Sequence, residues 1–455
     1  MAGPKHVIAI IGGGFTGATL ATALLRSGQA GLTIHLVEPR PEPGWGVAYG
    51  GAEPWHILNV PADRMSPWAD EPLDFLEWAR RHGPSLGWPQ AASASPETYL
   101  PRRLFGHYVE ARFRQAVELG GAELILHQDR VADVDRNGEG FCLRLESGAE
   151  VTAQSVVLAT GFLAPGWPFA VSGESDRLIK DPWQNGALDG IGRDDSVLVV
   201  GSGLSMVDMI YSLTAKGHRG HVTAVSRHGL LPRIHGVSTE IPPLVEEADV
   251  AQGLVSALAL FRKALRQGKA DWRSAADSLR PVIDGLWRAL SAQDQDRFFR
   301  HLKPFWEVHR HRMPAESADL LLDRQAKGLL SFKALRVAKV EGGPEGVRIN
   351  DELSFAHLIN CTPPAAPLGK DAGKLAQALL ASGLVRPDRT RGGYDIEADG
   401  TLRDASGRPI PGFLTLGPPR LGHFRETTAV PHIKPQLIEV TRLLLERAQA
   451  SSTAQ

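Results

Sequence analysis

Cysteine is nearly absent from this chain: two residues in 455, Cys142 and Cys361. That excludes a disulfide-stapled secreted scaffold and leaves no Cys-x-x-Cys pair for redox or metal chemistry. A bridge between the two stays open on sequence alone, with a reducing cytoplasm as the default. Long apolar runs are missing too; none approaches the roughly 20 residues of a spanning helix. The N-terminal run ends at Gly12 and reads as a core strand, neither a signal peptide nor a membrane anchor. Nor does one sign of charge dominate. Fifty Lys+Arg against 51 Asp+Glu give a net charge of −1, so no global field recruits nucleic acid or an anionic membrane. Ser202 and Ser205 lie in no G-x-S-x-G elbow, and neither a catalytic triad nor a carboxylate pair stands out.

Glycine, by contrast, is plentiful and placed with purpose. Gly12-Gly13-Gly14-Phe15-Thr16-Gly17 follows a short β-type run and opens a helical pattern over Phe15–Arg26. In such a turn Gly12 permits the tight bend, Gly14 lets the backbone approach a pyrophosphate, and Gly17 lets helix and strand pack closely. The helix then points its unpaired N–H groups at the phosphates. A second strand follows at 32–37, and Glu38 closes it, placed to accept from a ribose hydroxyl. A carboxylate there repels a 2′-phosphate, so this site suits FAD or NAD, and its N-terminal position favours FAD.

The device recurs at Gly201-Ser202-Gly203-Leu204-Ser205-Met206, after a strand over 197–200. Met206 replaces the third glycine, so this helix is expected to stand further from its strand. The next strand, 221–225, runs into Ser226-Arg227-His228 and not into an acid. A hydroxyl and a guanidinium suit a 2′-phosphate, which points to NADPH; a solvated loop arginine is the plain alternative. Two dinucleotides in one chain imply electrons passing from NADPH through a flavin. The absent Cys-x-x-Cys argues against the disulfide-reductase branch of such proteins.

The expected fold class is α/β: two Rossmann-type dinucleotide-binding domains, with the nicotinamide domain inserted in a discontinuous FAD domain and carrying a helical insertion. The expected boundaries are 1–168 for the first part of the FAD domain, 169–345 for the NAD(P)H domain and 346–455 for the second FAD part. Within the middle segment, 244–328 reads as helical: Leu254, Leu258, Phe261 and Leu265 fall at helical spacing, as do Leu279, Ile283, Leu286 and Leu290. Strands are expected at 122–126, 131–134, 141–146, 151–158, 334–340, 357–361 and 412–417. A helix is expected over 427–447, with 448–455 frayed.

Gly44-Trp45-Gly46-Val47-Ala48-Tyr49, Leu58-Asn59-Val60-Pro61-Ala62 and the stretch 101–108 around Arg102 resemble segments of bacterial FAD/NAD(P)-binding proteins. So do 226–232 and His309-Arg310-His311-Arg312-Met313. These are two-dinucleotide-binding-domain flavoproteins, some of which are implicated in N-oxygenation of small amino-acid substrates. Asn59 with Met65 also resembles a segment of flavin-containing monooxygenases in which the asparagine amide lies beside the flavin and its oxygen species. The acid that completes that pattern lies one residue later here, at Asp70-Glu71-Pro72. The long motif of Baeyer–Villiger enzymes is missing, since no histidine lies between Gly173 and Trp183. Where many flavin reductases carry Gly-Asp near the C-terminus, this chain has Gly417-Pro418-Pro419.

On these readings FAD is assigned to Gly12, Gly14, Phe15, Thr16, Gly17, Glu38, Trp45, Gly46, Tyr49, Asn59, Val131, Thr160, Gly161, Gly417 and Thr427. NADPH is assigned to Gly201, Gly203, Leu204, Ser205, Ser226 and Arg227. Asn59 and Arg102 are the candidate catalytic residues. His309, Arg310 and Arg312 are expected to clamp an anionic substrate, because guanidiniums would repel a metal and no i,i+4 histidine pair forms. The loop Gly44 to Tyr49 is expected beneath the isoalloxazine. The expected activity is oxygenation of nitrogen or sulfur in a small polar or acidic metabolite, with dioxygen as co-substrate. The alternatives are a reductase feeding a quinone, metal or partner, and a flavin-bound sensor with little turnover. A homo-oligomer is compatible with the sequence, which does not specify one.

Overall fold

Ile8, Ala9, Ile10 and Ile11 form the centre of the first strand, His6–Ile11, all at or below 4 % exposure. An unbroken apolar run buried on both faces marks a parallel sheet covered on both sides. The strand pairs in parallel with Leu32–Val37 on one flank and Ser155–Leu158 on the other. The computed structural model describes residues 6–138, 140–162, 165–363, 373–390 and 392–453. In it these strands belong to a six-stranded sheet ordered Thr401–Arg403, Pro409–Thr415, Ser155–Leu158, His6–Ile11, Leu32–Val37, Glu123–His127. Thr401–Arg403 pairs antiparallel and closes one edge.

One side of this sheet is covered by the helices Phe15–Arg26, Arg102–Leu119 and Val430–Thr453, whose Leu20, Leu24, Phe105, Leu437 and Leu444 share one apolar cluster. A second cluster holds Val134, Phe141, Leu143, Val156 and Phe413, including side chains of the antiparallel sheet Val131–Asn137, Gly140–Leu145, Glu150–Ala153. Together, Met1–Leu163 and Ala365–Gln455 make one compact unit.

Ala164–Pro364 makes the other. Its five-stranded sheet is parallel throughout, in the order Leu330–Ala334, Val222–Ser226, Val197–Val200, His357–Asn360, Leu178–Ile179. Leu204–Ala215 and Ala315–Ala326 pack on it through Met206, Ile210, Leu213 and Leu321. A smaller four-stranded sheet joins Ala170–Ser172 to Lys339–Gly342, Val347–Ile349 and Leu353–Phe355. The helices from Glu247–Ala251 to Lys303–Arg310 carry a core of their own around Val245, Val250, Leu286, Trp287 and Leu290.

Several expectations require correction. The boundary expected at 345/346 falls at Pro364/Ala365, because His357–Asn360 pairs with Val197–Val200 and completes the second unit's sheet. The strand expected over 151–158 is two strands in two sheets, Glu150–Ala153 and Ser155–Leu158. Gln154 is the switch: its amide donates to the Val7 carbonyl and its side chain accepts from the Val7 amide, at 2.9 and 2.7 Å. The strand expected at 334–340 is likewise split into Leu330–Ala334 and Lys339–Gly342. The apolar stripe of Leu279 to Leu290 is no continuous helix. Pro281 has no N–H to give, and Arg280–Val282 tightens to a 3₁₀ turn. The tail expected to fray continues as helix to Thr453, held by buried Ala448 and by Ser451 Oγ, 3.2 Å from His6 Nδ1; 454–455 lie outside the described residues. Among the described residues no helix is long and apolar enough to cross a membrane.

Asn360 holds the second unit's central strand to its entry segment. Its buried amide donates to the Gly166 and Lys180 carbonyls at 3.1 and 3.2 Å and accepts from Thr362. Asn360→Ala leaves those carbonyls unsatisfied and should lower stability by about 2–4 kcal/mol, read as a fall in urea midpoint.

Candidate cofactor sites

The helix Phe15–Arg26 starts at Gly14 with no side-chain cap, so its first amides are left for a ligand. The turn before it is cut to fit. A Cβ on Gly12, at φ +100°, would fall 2.5 Å from the Ala159 carbonyl, and one on Gly17 would fall 1.8 Å from the Gly12 carbonyl. Glu38 is 7 % exposed, and its Oε2 accepts from the Gly13 amide at 2.7 Å while Oε1 accepts from the Arg40 amide at 3.1 Å. Gly13 is therefore a constrained position that the motif reading passed over, since its Cβ would strike the Glu38 Cβ at 2.6 Å. An uncapped helix end, a close backbone turn and a strand-end carboxylate together fit a pyrophosphate with its ribose.

The loop from Gly44 is held by the glycine turn. The Gly44 amide donates to the Gly13 carbonyl at 2.7 Å, and a Cβ on Gly46 would fall 2.9 Å from the Gly14 Cα. This loop therefore packs on the phosphate turn itself. Tyr49 is enclosed, its ring centroid 5.0 Å from Phe105 and 6.3 Å from Phe15, and burial pushes its hydroxyl pKa up. It is part of the core. Trp45 is also engaged: Nε1 donates to Glu110 at 2.8 Å and the ring fills the space that Gly106 leaves bare. Val131 sends its side chain into the second apolar cluster, so only its main chain remains for a ligand.

Asn59 lies in a half-buried segment stitched to 96–102. The Leu58 amide donates to the Leu100 carbonyl, Ala62 to Thr98, and Arg102 to His56, at 2.9, 3.0 and 2.7 Å. One Arg102 Nη donates to the Ile57 carbonyl at 3.2 Å. Arg102, expected to be catalytic, thus braces the asparagine loop.

At the far end of the sheet Gly417 adopts φ +77°, and a Cβ there would fall 3.1 Å from Thr16 Oγ1 in the first turn of the glycine helix. Thr427 Oγ1 donates to the Gly417 carbonyl at 2.7 Å and accepts from Gln436 Nε2, while Gln436 Oε1 accepts from the Gly417 amide at 3.1 Å. Gly417 and Thr427 are thereby brought beside Thr16. Gln436, inside the last helix, completes the group and carried no motif signal. Thr160 and Gly161 follow Ala159, whose carbonyl backs Gly12.

In the second unit Leu204–Ala215 starts at Gly203, again without a side-chain cap. A Cβ on Gly201 would fall 2.3 Å from the Cys361 carbonyl, whereas one on Gly203 would meet nothing within 4 Å. Met206 is fully buried where Gly17 nearly touches its turn, so this helix cannot approach as closely. Ser202 Oγ donates to the Leu230 carbonyl at 2.5 Å and anchors the loop that follows Ser226. Arg227 is exposed on that loop, with no hydrogen bond or ion pair to another described residue. Leu204, Ser205 and Ser226 are half-buried around the same turn.

The expected substrate clamp is taken up within the protein. Arg312 is 3 % exposed and donates to both Asp277 oxygens at 3.0 Å and to the His309 carbonyl at 2.8 Å. Burial pushes the Asp277 carboxyl up, but Arg312 and Arg280 hold it below its ordinary value. Arg310 is buried beside His311, and burial followed by the Arg310 charge pushes that imidazole down. His309 Nδ1 donates to the Phe305 carbonyl at 2.7 Å and its ring packs edge-on to Trp272. Alternating His and Arg here builds a helix end. No trio of His, Cys, Asp or Glu is gathered for a metal among the described residues, and both cysteines are free.

Two units, each a largely parallel sheet with an uncapped glycine turn, give the chain the fold of two-dinucleotide-binding-domain flavoproteins. Residues 9–163 match the family model described as FAD-NAD(P)-binding. The chain is similar to a nitrosuccinic acid synthase of Aspergillus oryzae, 28 % identical over 288 residues, covering 55 % of this chain and 43 % of that one. It is also similar to an L-aspartate N-monooxygenase (nitrosuccinate-forming) of Streptomyces davaonensis, 26 % identical over 267 residues, 49 % of this chain and 40 % of that one. The chain thus spans less than half the length of either curated relative. Among solved structures, the ornithine N-hydroxylase of Kutzneria sp. 744 shares the fold at TM-score 0.66 and 17 % identity, over 98 % of this chain and 100 % of that one.

Arg227→Ala should raise the KM for NADPH at least about tenfold and leave that for NADH nearly unchanged, since one charge-assisted phosphate contact is lost. Equal effects on both would discard the 2′-phosphate role. Acid stability offers a second check. His218 and His311 both lie below the ordinary 6.5 chiefly through burial. Above 6.5 both states hold neutral imidazoles; below it only the unfolded chain takes up the protons freely, so stability falls with pH. The urea midpoint should drop from pH 7.5 to 5.5, and less so in His218→Asn.

Proposed function

We propose that this chain is an FAD- and NADPH-dependent monooxygenase that oxygenates nitrogen in a small acidic amino acid, in a reducing cytoplasm. The observation that carries the reading is the pair of uncapped glycine turns with opposite strand ends, Glu38 in one unit and Ser226-Arg227 in the other. A carboxylate selects a ribose hydroxyl and a guanidinium selects a 2′-phosphate, which divides the two cofactors between the two sites. The matched relatives named for nitrosuccinate formation and aspartate N-oxygenation support the substrate class. FAD, when bound, supplies hydride acceptance from NADPH and two-electron activation of dioxygen.

The chain's own residues do the holding. The amides at the start of Phe15–Arg26 and the Glu38 carboxylate would bind the pyrophosphate and ribose, and Gly417 and Thr427 would border the ring system beside Thr16. The Asn59 amide both donates and accepts, so it can orient an oxygen species and the incoming amine. Arg102 keeps that asparagine's loop in place through the Ile57 carbonyl. The buried Arg312–Asp277 pair gives rigidity to the helical segment.

Purified protein supplied with NADPH, oxygen and L-aspartate should consume all three and yield an N-oxygenated product by mass spectrometry. Anaerobic NADPH oxidation with a quinone and no such product would establish a reductase instead; slow oxidation with every acceptor would establish a sensor. Asn59→Ala should keep NADPH oxidation but lower the ratio of product to hydrogen peroxide at least about tenfold, the scale of one lost active-site hydrogen bond. An unchanged ratio removes Asn59 from the chemistry.

A further inference from the structure

Arg420 is fully buried, the largest of the described side chains with almost no exposure. It ends the one-turn 3₁₀ helix Pro418–Arg420, three residues past Gly417. Nε donates to the Thr415 carbonyl at 2.6 Å and Nη2 to the Asp399 carbonyl at 2.9 Å, both main-chain groups. Nη1 is buried with no acceptor among the described residues. Among the described residues no carboxylate pairs with the guanidinium; Glu439 on the C-terminal helix and Asp399 act on it at longer range. Gly400 is left bare to admit it, since a Cβ there would fall 1.7 Å from Nη2. Burial pushes the group down to about 10, so it stays charged at neutral pH.

A buried ion without a close counter-ion is strongly destabilising, and a fold keeps one where something else compensates it or uses its field. The location narrows the use. The Arg420 amide donates to the Gly417 carbonyl at 3.0 Å, and Gly417 lies against Thr16 at the phosphate turn.

We propose that Arg420 acts on the flavin through space as a buried, uncompensated positive charge that raises its reduction potential and favours the reduced anion. FAD, when bound, would gain negative charge on reduction; the Arg420 guanidinium would stabilise that charge and neither give nor take a proton. In the low-dielectric interior its field is weakly screened. The inference rests on the first unit holding FAD.

The FAD content of the purified protein is counted first, by absorbance; a colourless wild type that refuses FAD overturns the functional reading and this inference with it, whereas an FAD-replete protein with an unmoved potential overturns this inference alone. Midpoint potentials are then measured by spectroelectrochemistry for the wild type, Arg420→Met, Arg420→Lys and Glu439→Gln. Arg420→Met should shift the potential to more negative values and raise the pH at which the reduced flavin takes up a proton. Arg420→Lys should stay near wild type. Glu439→Gln removes a distant counter-charge and should move the potential the other way. A folded, FAD-replete Arg420→Met with the wild-type potential overturns the proposal. Should Arg420→Met not fold, an unmoved potential in Glu439→Gln overturns it equally.

Discussion

The hydrogen bond from the Gly13 amide to the Glu38 carboxylate, 2.7 Å long, ties the first glycine turn to the end of the neighbouring strand. Gly12 lies against the Ala159 carbonyl on one side and Gly17 against the Gly12 carbonyl on the other. Three strands and a helix therefore meet within van der Waals contact, and no β-carbon fits where they cross. The closeness leaves the helix amides unobstructed at the crest. The loop from Gly44 and the turn at Gly417 then pack onto that crest through glycines of their own.

The second unit repeats this design with looser tolerances. Met206 stands where Gly17 does, and Gly203 faces open space. A tightly built turn suits a resident cofactor and an open one suits a cofactor that enters and leaves. The strand ends carry the same distinction in charge: Glu38 is buried and doubly bonded, while Arg227 is exposed and uncommitted among the described residues.

Arginine illustrates how burial decides a role that residue type leaves open. Arg312 and Arg227 both sit in basic segments of one unit, yet Arg312 is neutralised by Asp277 while Arg227 faces solvent. Arg102 supports a loop carbonyl. Arg420, in a segment whose motif reading registered only a missing acid, carries its charge into the interior on main-chain carbonyls, with no carboxylate paired to it among the described residues. Desolvation makes the last of these the most consequential, because an unscreened charge reaches further.

By itself the sequence determined the two glycine turns, the strands that feed them, the acid at one strand end and the base at the other. These are local: each depends on backbone conformation over a few residues, where glycine, β-branching and helical spacing act directly. His357–Asn360 was legible as a strand, but its membership of the second unit depended on pairing with a segment some 160 residues away. Tyr49, Arg312 and Arg420 were decided by tertiary structure alone. Whether a polar side chain meets solvent, a counter-charge or apolar rings is set by packing between distant segments, and no local pattern encodes it.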